Sequence, residues 1–284
     1  MDTATTNELE TSTARSIGKQ LQRIIKKVLI LAIVFIPFFY FAPIVAGVFV
    51  ACGLIDFSRN TPLSWSLANK YFLSRGILTW ILSPVNLLVD AMTLTWPRIL
   101  KLKDLPKPCQ KELKDFFSTI DNDQLIQMLQ TKMDNKERGM IFFKWYGKNI
   151  DTAFDVPQFH QKYRYIRTIG ISAFNKHCST TRHFGPLRLT LRVLYNLRPV
   201  KDDGVYIEVC NEKHYWYNNP MFIFDDTHIH QSFNECDQIR YCMFIDIKRS
   251  SMIFNPIIAL LIKIVQIVMI KSNHVFYKKW KTIR

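Results

Sequence analysis

From Val28 to Ile55 the chain runs for 28 residues without a charged side chain, and 18 of them are Leu, Ile, Val or Phe. A helix needs about 20 apolar residues to cross the hydrocarbon of a bilayer. At roughly −0.3 to −0.6 kcal/mol for each such residue near a helix centre, insertion is favoured by about 5–11 kcal/mol before prolines are counted. Pro37 and Pro43 either kink a single span or mark the bend of a hairpin that enters and leaves on one side. The run is too long for the apolar core of a signal peptide, and no small-x-small site ends it.

A second apolar stretch, Ile77 to Trp96, contains Pro84, Asn86 and Asp90. An acid at bilayer depth is costly, so this stretch is expected to lie in the interface, with a return span as the alternative. Lys26 and Lys27 before the pair, and Arg59, Lys70 and Arg75 within it, favour the cytoplasm on both sides. Residues 28–97 are thus expected to form a membrane-embedded region. Residues 1–27, Thr-rich and then basic, read as a disordered tail.

The formal charge of +15 raises the question of nucleic acid. Eight Lys and Arg and no Asp or Glu fall in the last 37 residues, interleaved with the apolar run Pro256–Ile270. That pattern suits an anionic lipid surface, and no nucleic-acid motif accompanies the charge. Residues 251–284 therefore read as a basic, membrane-associated amphipathic helix, with packing on the preceding domain as the ordinary alternative. The six cysteines show no CxxC pair or zinc spacing, which points to reduced, packed thiols.

Residues 98–164 read as a linker with short helices at Gln110–Thr119 and Asn122–Met133, the second capped by Asp121 or Asn122. From Tyr165 the pattern turns to strands: Ile166–Phe174, Leu187–Leu197, Val205–Cys210, Met221–Phe224 and Ile239–Ile247. Lys201-Asp202-Asp203-Gly204 is a hairpin turn signal. Several short antiparallel strands predict an α+β chain with a double-stranded β-helix (jelly-roll) core at residues 165–250.

Within that core, His183 stands in Arg182-His183-Phe184-Gly185-Pro186, and His230 follows Phe224-Asp225-Asp226. Neutral imidazoles suit Fe(II), and a non-haem oxygenase keeps the other coordination positions open. His228 competes with His230, because residues two apart on a strand share a face. Arg240, with its planar fork, suits a carboxylate.

These motifs resemble the aspartyl/asparaginyl β-hydroxylase family of Fe(II)/2-oxoglutarate dioxygenases, which includes bacterial hydroxylases of lipid A acyl chains. The resemblance covers about Tyr165 to Lys248. It implies His183 and His230 as iron ligands, with 2-oxoglutarate and O2 as cosubstrates. It also implies Arg240 and Ser172 on the far carboxylate of 2-oxoglutarate, with Arg192 near it. Two departures stand out. Gly185 occupies the position where most 2-oxoglutarate oxygenases carry a third, acidic ligand, and Leu194 stands where the family usually has histidine. Asp226 is read as the catalytic carboxylate that supplies the missing charge through a metal-bound water; capping a turn is its ordinary alternative.

The apolar segments favour a hydroxylase of lipid acyl chains at the cytoplasmic (inner) membrane, with the catalytic domain on the cytoplasmic side. Gly185 favours a β-hydroxylase of Asp or Asn in a membrane-proximal peptide. Leu194 is the single feature favouring a scaffold without turnover.

Overall fold

The computed structural model describes residues 21–22, 25–33, 36–37, 39–94, 98–133, 137–152, 154–251, 253–271 and 281–282. Of the tail expected over residues 1–27, residues 1–20 and 23–24 lie outside them, as do most of residues 272–284; residues 21–22 and 25–27 are helical rather than disordered. Helices and antiparallel sheets are mixed in one chain.

Eight strands carry the core: β1 (Arg138–Trp145), β2 (Ile166–Phe174), β3 (Thr190–Asn196), β4 (Val205–Val209), β5 (Glu212–Tyr215), β6 (Met221–Phe224), β7 (His230–Asn234) and β8 (Arg240–Lys248). The larger sheet runs β6-β3-β8-β2-β1, with Ile99–Leu100 outside β6. The smaller runs β7-β4-β5, with Cys178–Ser179 outside β7. β8 is buried along its whole length because β2 and β3 flank it and both its faces are covered.

Side chains alternate across a strand, and the alternation sorts the larger sheet into two faces. Ile171, Val193, Met243 and Ile245 point to one face, beneath helices α5 (Lys107–Ser118) and α6 (Asn122–Met133). These helices bury Cys109, Leu113 and Phe116, and Leu125, Ile126 and Leu129, at the spacing of a single helical stripe. Asp121 starts α6 by accepting from the Gln124 amide at 3.0 Å, as its cap position predicts. Phe142, Leu194 and Phe244 point to the other face and meet Val205, Ile207 and Trp216 of the smaller sheet and the segment after it. The order of layers is helices, larger sheet, smaller sheet.

Gly170 marks a close approach in that second core. A Cβ there would lie 2.1 Å from Cζ of Phe244. Gly170→Ala is expected to cost about 1–3 kcal/mol by overpacking, read as a lower thermal midpoint.

Several expected elements change. β1 forms inside the segment read as linker and short helices and pairs with β2. Lys201–Gly204 does not close a hairpin: it leads from β3 in one sheet to β4 in the other. The hairpin lies one step later, where β4 and β5 join through Cys210 and Asn211, both at positive φ (48° and 68°). Those angles fit the primed turns that hairpins prefer, but Cys-Asn lacks the glycine that signals one. The six cysteines are free.

The membrane segments expected over residues 28–97 do not appear as spans. Among the described residues no helix is long and apolar enough to cross a membrane. The uncharged run is interrupted at non-helical Ala42, and α1 (Pro43–Ser58) begins anew with proline at its first position. Positions 34, 35 and 38 of that run lie outside the described residues. The stretch expected over Ile77–Trp96, of which residues 95 and 96 lie outside the described residues, carries two short helices, α3 (Ile77–Ile81) and α4 (Ser83–Thr93), after α2 (Trp65–Leu73). Thr79, Ser83, Asn86 and Asp90 turn inward and are buried. Arginines neutralise Asp90 within the protein, so its charge faces no lipid. The C-terminal helix α7 (Asn255–Lys271) buries Ile258 and Ile262 against Val89 and Met92 of α4 and Leu187 and Leu189. Its other side is exposed at Ile257, Leu260 and Ile264.

Candidate metal centre

His183 and His230 pair as an isolated antiparallel bridge. Each backbone amide donates to the other's carbonyl, at 3.1 and 3.0 Å. Directly opposed residues place their side chains on one face, and the two rings lie 4.2 Å apart. Nδ1 of His183 is 2.6 Å from the Thr181 carbonyl, and Nδ1 of His230 is 2.8 Å from the His228 carbonyl. A carbonyl only accepts, so each Nδ1 carries the proton and each Nε2 keeps a bare lone pair. Burial lowers the His183 pKa to about 4 and holds His230 well below its ordinary value, where the neighbouring His183 adds to the effect. Two adjacent, neutral, tautomer-fixed imidazoles have the donor chemistry that Fe(II) takes.

His228 does not join them. It lies in the turn before β7, its Nδ1 3.7 Å from the Cys210 sulfur.

Asp226 fills the space above Gly185. A Cβ at position 185 would lie 2.4 Å from the Asp226 Cγ and 2.5 Å from each of its oxygens. The carboxylate thus occupies the volume that a side chain two residues after the first histidine would take. Arg192 pairs with it at 3.2 Å and with Asp246 at 2.8 Å. Burial pushes the Asp226 pKa up to about 7; Arg192 opposes this and Asp246 and Asp225 reinforce it. Among the described residues no three His, Cys, Asp or Glu side chains gather as a metal-holding group, so the protein's own candidate ligands are the two imidazoles. Gly185→Ala should displace the Asp226 carboxylate. Its expected effect is metal affinity about 10–100-fold weaker, the usual cost of disturbing a group beside the ligands, measured by anaerobic Fe(II) titration.

Arg240 and Ser172 share the inner face of the larger sheet, because Cys242 pairs with Ser172 and Arg240 stands two residues from Cys242. Ser172 donates to the Cys242 carbonyl at 3.2 Å. Arg240 is 1% exposed and donates through Nε to Asn196 at 3.3 Å, while its Nη1 has no hydrogen-bond partner. A buried guanidinium with an unused donor is incomplete without an anion. Arg192, by contrast, is engaged by the carboxylates of Asp226 and Asp246.

Sequence reasoning missed what holds the two histidine segments in place. Thr79 of α3 donates to the Gly185 carbonyl at 2.9 Å. Asn86 of α4 accepts from the Arg188 amide at 2.8 Å, and Asn60 accepts from the Ile229 amide at 2.8 Å. Arg188, 0% exposed, meets Asp56 at 2.6 Å, Asp225 at 2.9 Å and Asp90 at 3.1 Å. Arg249 bridges Asp225 at 2.7 Å and Asp90 at 3.0 Å. The available signal was the lone acids Asp56 and Asp90 within apolar stretches, which need buried partners.

The family model described as aspartyl/asparaginyl beta-hydroxylase matches residues 110–250. A comparison with curated proteins gives no match. Among solved structures, an oxidoreductase of the 2OG-Fe(II) oxygenase family from Burkholderia pseudomallei is 17% identical, covering 33% of this chain and 50% of that one, with a TM-score of 0.24. A viral collagen prolyl hydroxylase from Paramecium Bursaria Chlorella virus-1 is 10% identical, covering 46% and 89%, with a TM-score of 0.32. A cupin domain from Bordetella pertussis is 13% identical, covering 40% and 97%, with a TM-score of 0.24. Likenesses of this size carry no argument. The family match stands on its own and joins the paired histidines: from residue 110 to residue 250 the chain carries the domain of the aspartyl/asparaginyl β-hydroxylase family, and it is a hydroxylase of the Fe(II)/2-oxoglutarate dioxygenase class.

Proposed function

We propose that this hydroxylase works at a membrane surface, in a jelly-roll site, on a lipid acyl chain of the lipid A type. One observation supports the lipid reading. The helices whose inner polar groups grip both histidine segments turn an apolar, uncharged side outward, at Ile44, Val48 and Ile55 of α1 and Leu88 of α4. Leu260 and Ile264 of α7 are exposed as well. Large apolar side chains exposed together on neighbouring helices suit an apolar partner. The basic residues Lys26, Lys27, Lys70 and Arg75 suit anionic headgroups on the cytoplasmic side.

In this reading His183 and His230 present their Nε2 lone pairs to Fe(II), with their Nδ1 protons held by the Thr181 and His228 carbonyls. Arg240, beside Ser172, holds the far carboxylate of 2-oxoglutarate. Asp226 keeps a carboxyl group next to the ligands, held in place by Arg192. With O2, the bound pair supplies the oxidising power for C–H hydroxylation and leaves succinate and carbon dioxide. The surrounding apolar core excludes water from that chemistry.

Gly185 supports a second reading, hydroxylation of Asp or Asn in a membrane-proximal peptide. Mass spectrometry of extracted lipids and of membrane peptides, with the wild type and with His183→Ala, separates them. The expected result is a His183-dependent gain of one oxygen on an acyl lipid. The same gain on an Asp or Asn peptide, with lipids unchanged, would replace the first reading with the second.

A further inference from the structure

Arg240 is not the sole unsatisfied donor in its neighbourhood. The guanidinium carbon lies 4.3 Å from the centroid of the Trp216 ring. Trp216 is 2% exposed, and its indole Nε1 is also buried without a hydrogen-bond partner. An indole nitrogen can only donate, and so can a guanidinium. Two buried donors on touching side chains therefore require the same complement, an acceptor from outside the chain. Among the described residues no carboxylate pairs with Arg240, so that acceptor also has to carry negative charge. A carboxylate meets both demands, with one oxygen for each donor.

The chain builds this corner from two sheets. Arg240 opens β8 in the larger sheet, and Trp216 follows directly on β5 in the smaller, with Leu194 in the same buried cluster. Phe174 lies on Arg240 as well, 5.1 Å from its guanidinium carbon. Aromatic rings on a cation fix the plane of the fork, so the two donors are held before any ligand arrives. Leu194 offers no donor at the position where the resemblance expects histidine, which leaves the indole as the second donor to hand.

We propose that Trp216 is a cosubstrate-binding residue whose indole N–H, together with Arg240, holds the far carboxylate of 2-oxoglutarate. This rests on the 2-oxoglutarate reading above. It predicts that Trp216→Phe, which keeps a ring on the guanidinium and deletes only the donor, separates binding from stability. Calorimetry of 2-oxoglutarate on the anaerobic Fe(II) protein should show affinity about tenfold weaker or more, the scale of a hydrogen bond to a charged group. Without 2-oxoglutarate, the thermal midpoint should hold or rise, since the lost donor had no partner to lose.

The wild type gives a readout that does not depend on the variant folding. When 2-oxoglutarate is added to the Zn(II)-loaded protein, one of the six tryptophan indole N–H resonances should move downfield. Equal affinity in wild type and Trp216→Phe, or no indole N–H shift in the wild type, overturns the proposal while leaving the hydroxylase reading intact. A wild type that binds no 2-oxoglutarate overturns both.

Discussion

Replacing either His183 or His230 with alanine is expected to abolish succinate formation from 2-oxoglutarate and to weaken Fe(II) binding by more than the 10–100-fold that loss of an outer partner costs. The reason is the small number of candidate protein ligands. With Gly185 in place of an acid, the two imidazoles are the candidate protein ligands, since among the described residues no group of three His, Cys, Asp or Glu side chains gathers to hold a metal. Removing one leaves a single bare Nε2. The fold should survive, because the reciprocal backbone bonds between the two residues at 3.1 and 3.0 Å do not involve the side chains. His228→Ala is the control. It removes a ring that packs on Cys210 rather than beside His183, and should leave the Fe(II) titration unchanged. A similar loss of metal binding in that variant would break the assignment.

Arg188→Leu should produce the largest loss of stability. Arg188 is fully buried among Asp56, Asp90 and Asp225. Breaking a buried ion pair by removing one partner costs about 3–5 kcal/mol, because the opposite charge stays behind unpaired. At about 2–4 °C per kcal/mol for a domain of this size, the midpoint should fall by about 6–20 °C. Loss of metal affinity should accompany it, since the same side chain, five residues after His183, ties α1 and α4 to Asp225 in the motif that precedes His230. An unchanged midpoint would mean that the cluster does not hold these helices to the site.

Acid should attack the same place. Burial alone would raise the Asp225 pKa, but Arg249 and Arg188 outweigh it and hold the carboxyl well below the usual carboxylate range. A depressed pKa contributes stability that is present above the unfolded value, about 3.9, and is lost as pH falls through the folded one. Stability should therefore decline below about pH 4. In Arg188→Leu the decline should begin at higher pH, because Asp225 loses one of the two cations that hold its proton off.

Much of the catalytic layer was legible in the chain. β2, β4, β6 and β8 fall within a residue of the runs read from β-branched and aromatic composition, and α6 begins where Asp121 caps it. Local pattern is enough there, because each run alternates or repeats against one core. β1 escaped notice because Arg138–Trp145 mixes charged ends with an apolar middle, and it is a strand through pairing with β2. β7 escaped because its register is set by Val209 and Val205 across the sheet rather than by its own hydropathy.

The sequence by itself singled out the candidates for the chemistry: His183, His230 and Arg240 are of the types that Fe(II) and a carboxylate take, and Ser172 entered through the resemblance to the family. Only the tertiary structure decided that Asp226 fills the void over Gly185, and that Asp56 and Asp90 lie inside the protein rather than in lipid. An apolar run with one acid looks the same in sequence whether a bilayer or a folded domain covers it. The difference lies in where the counter-charges are, and Arg188 and Arg249, about 100 residues or more away from Asp90 along the chain, reach it only once the chain has folded.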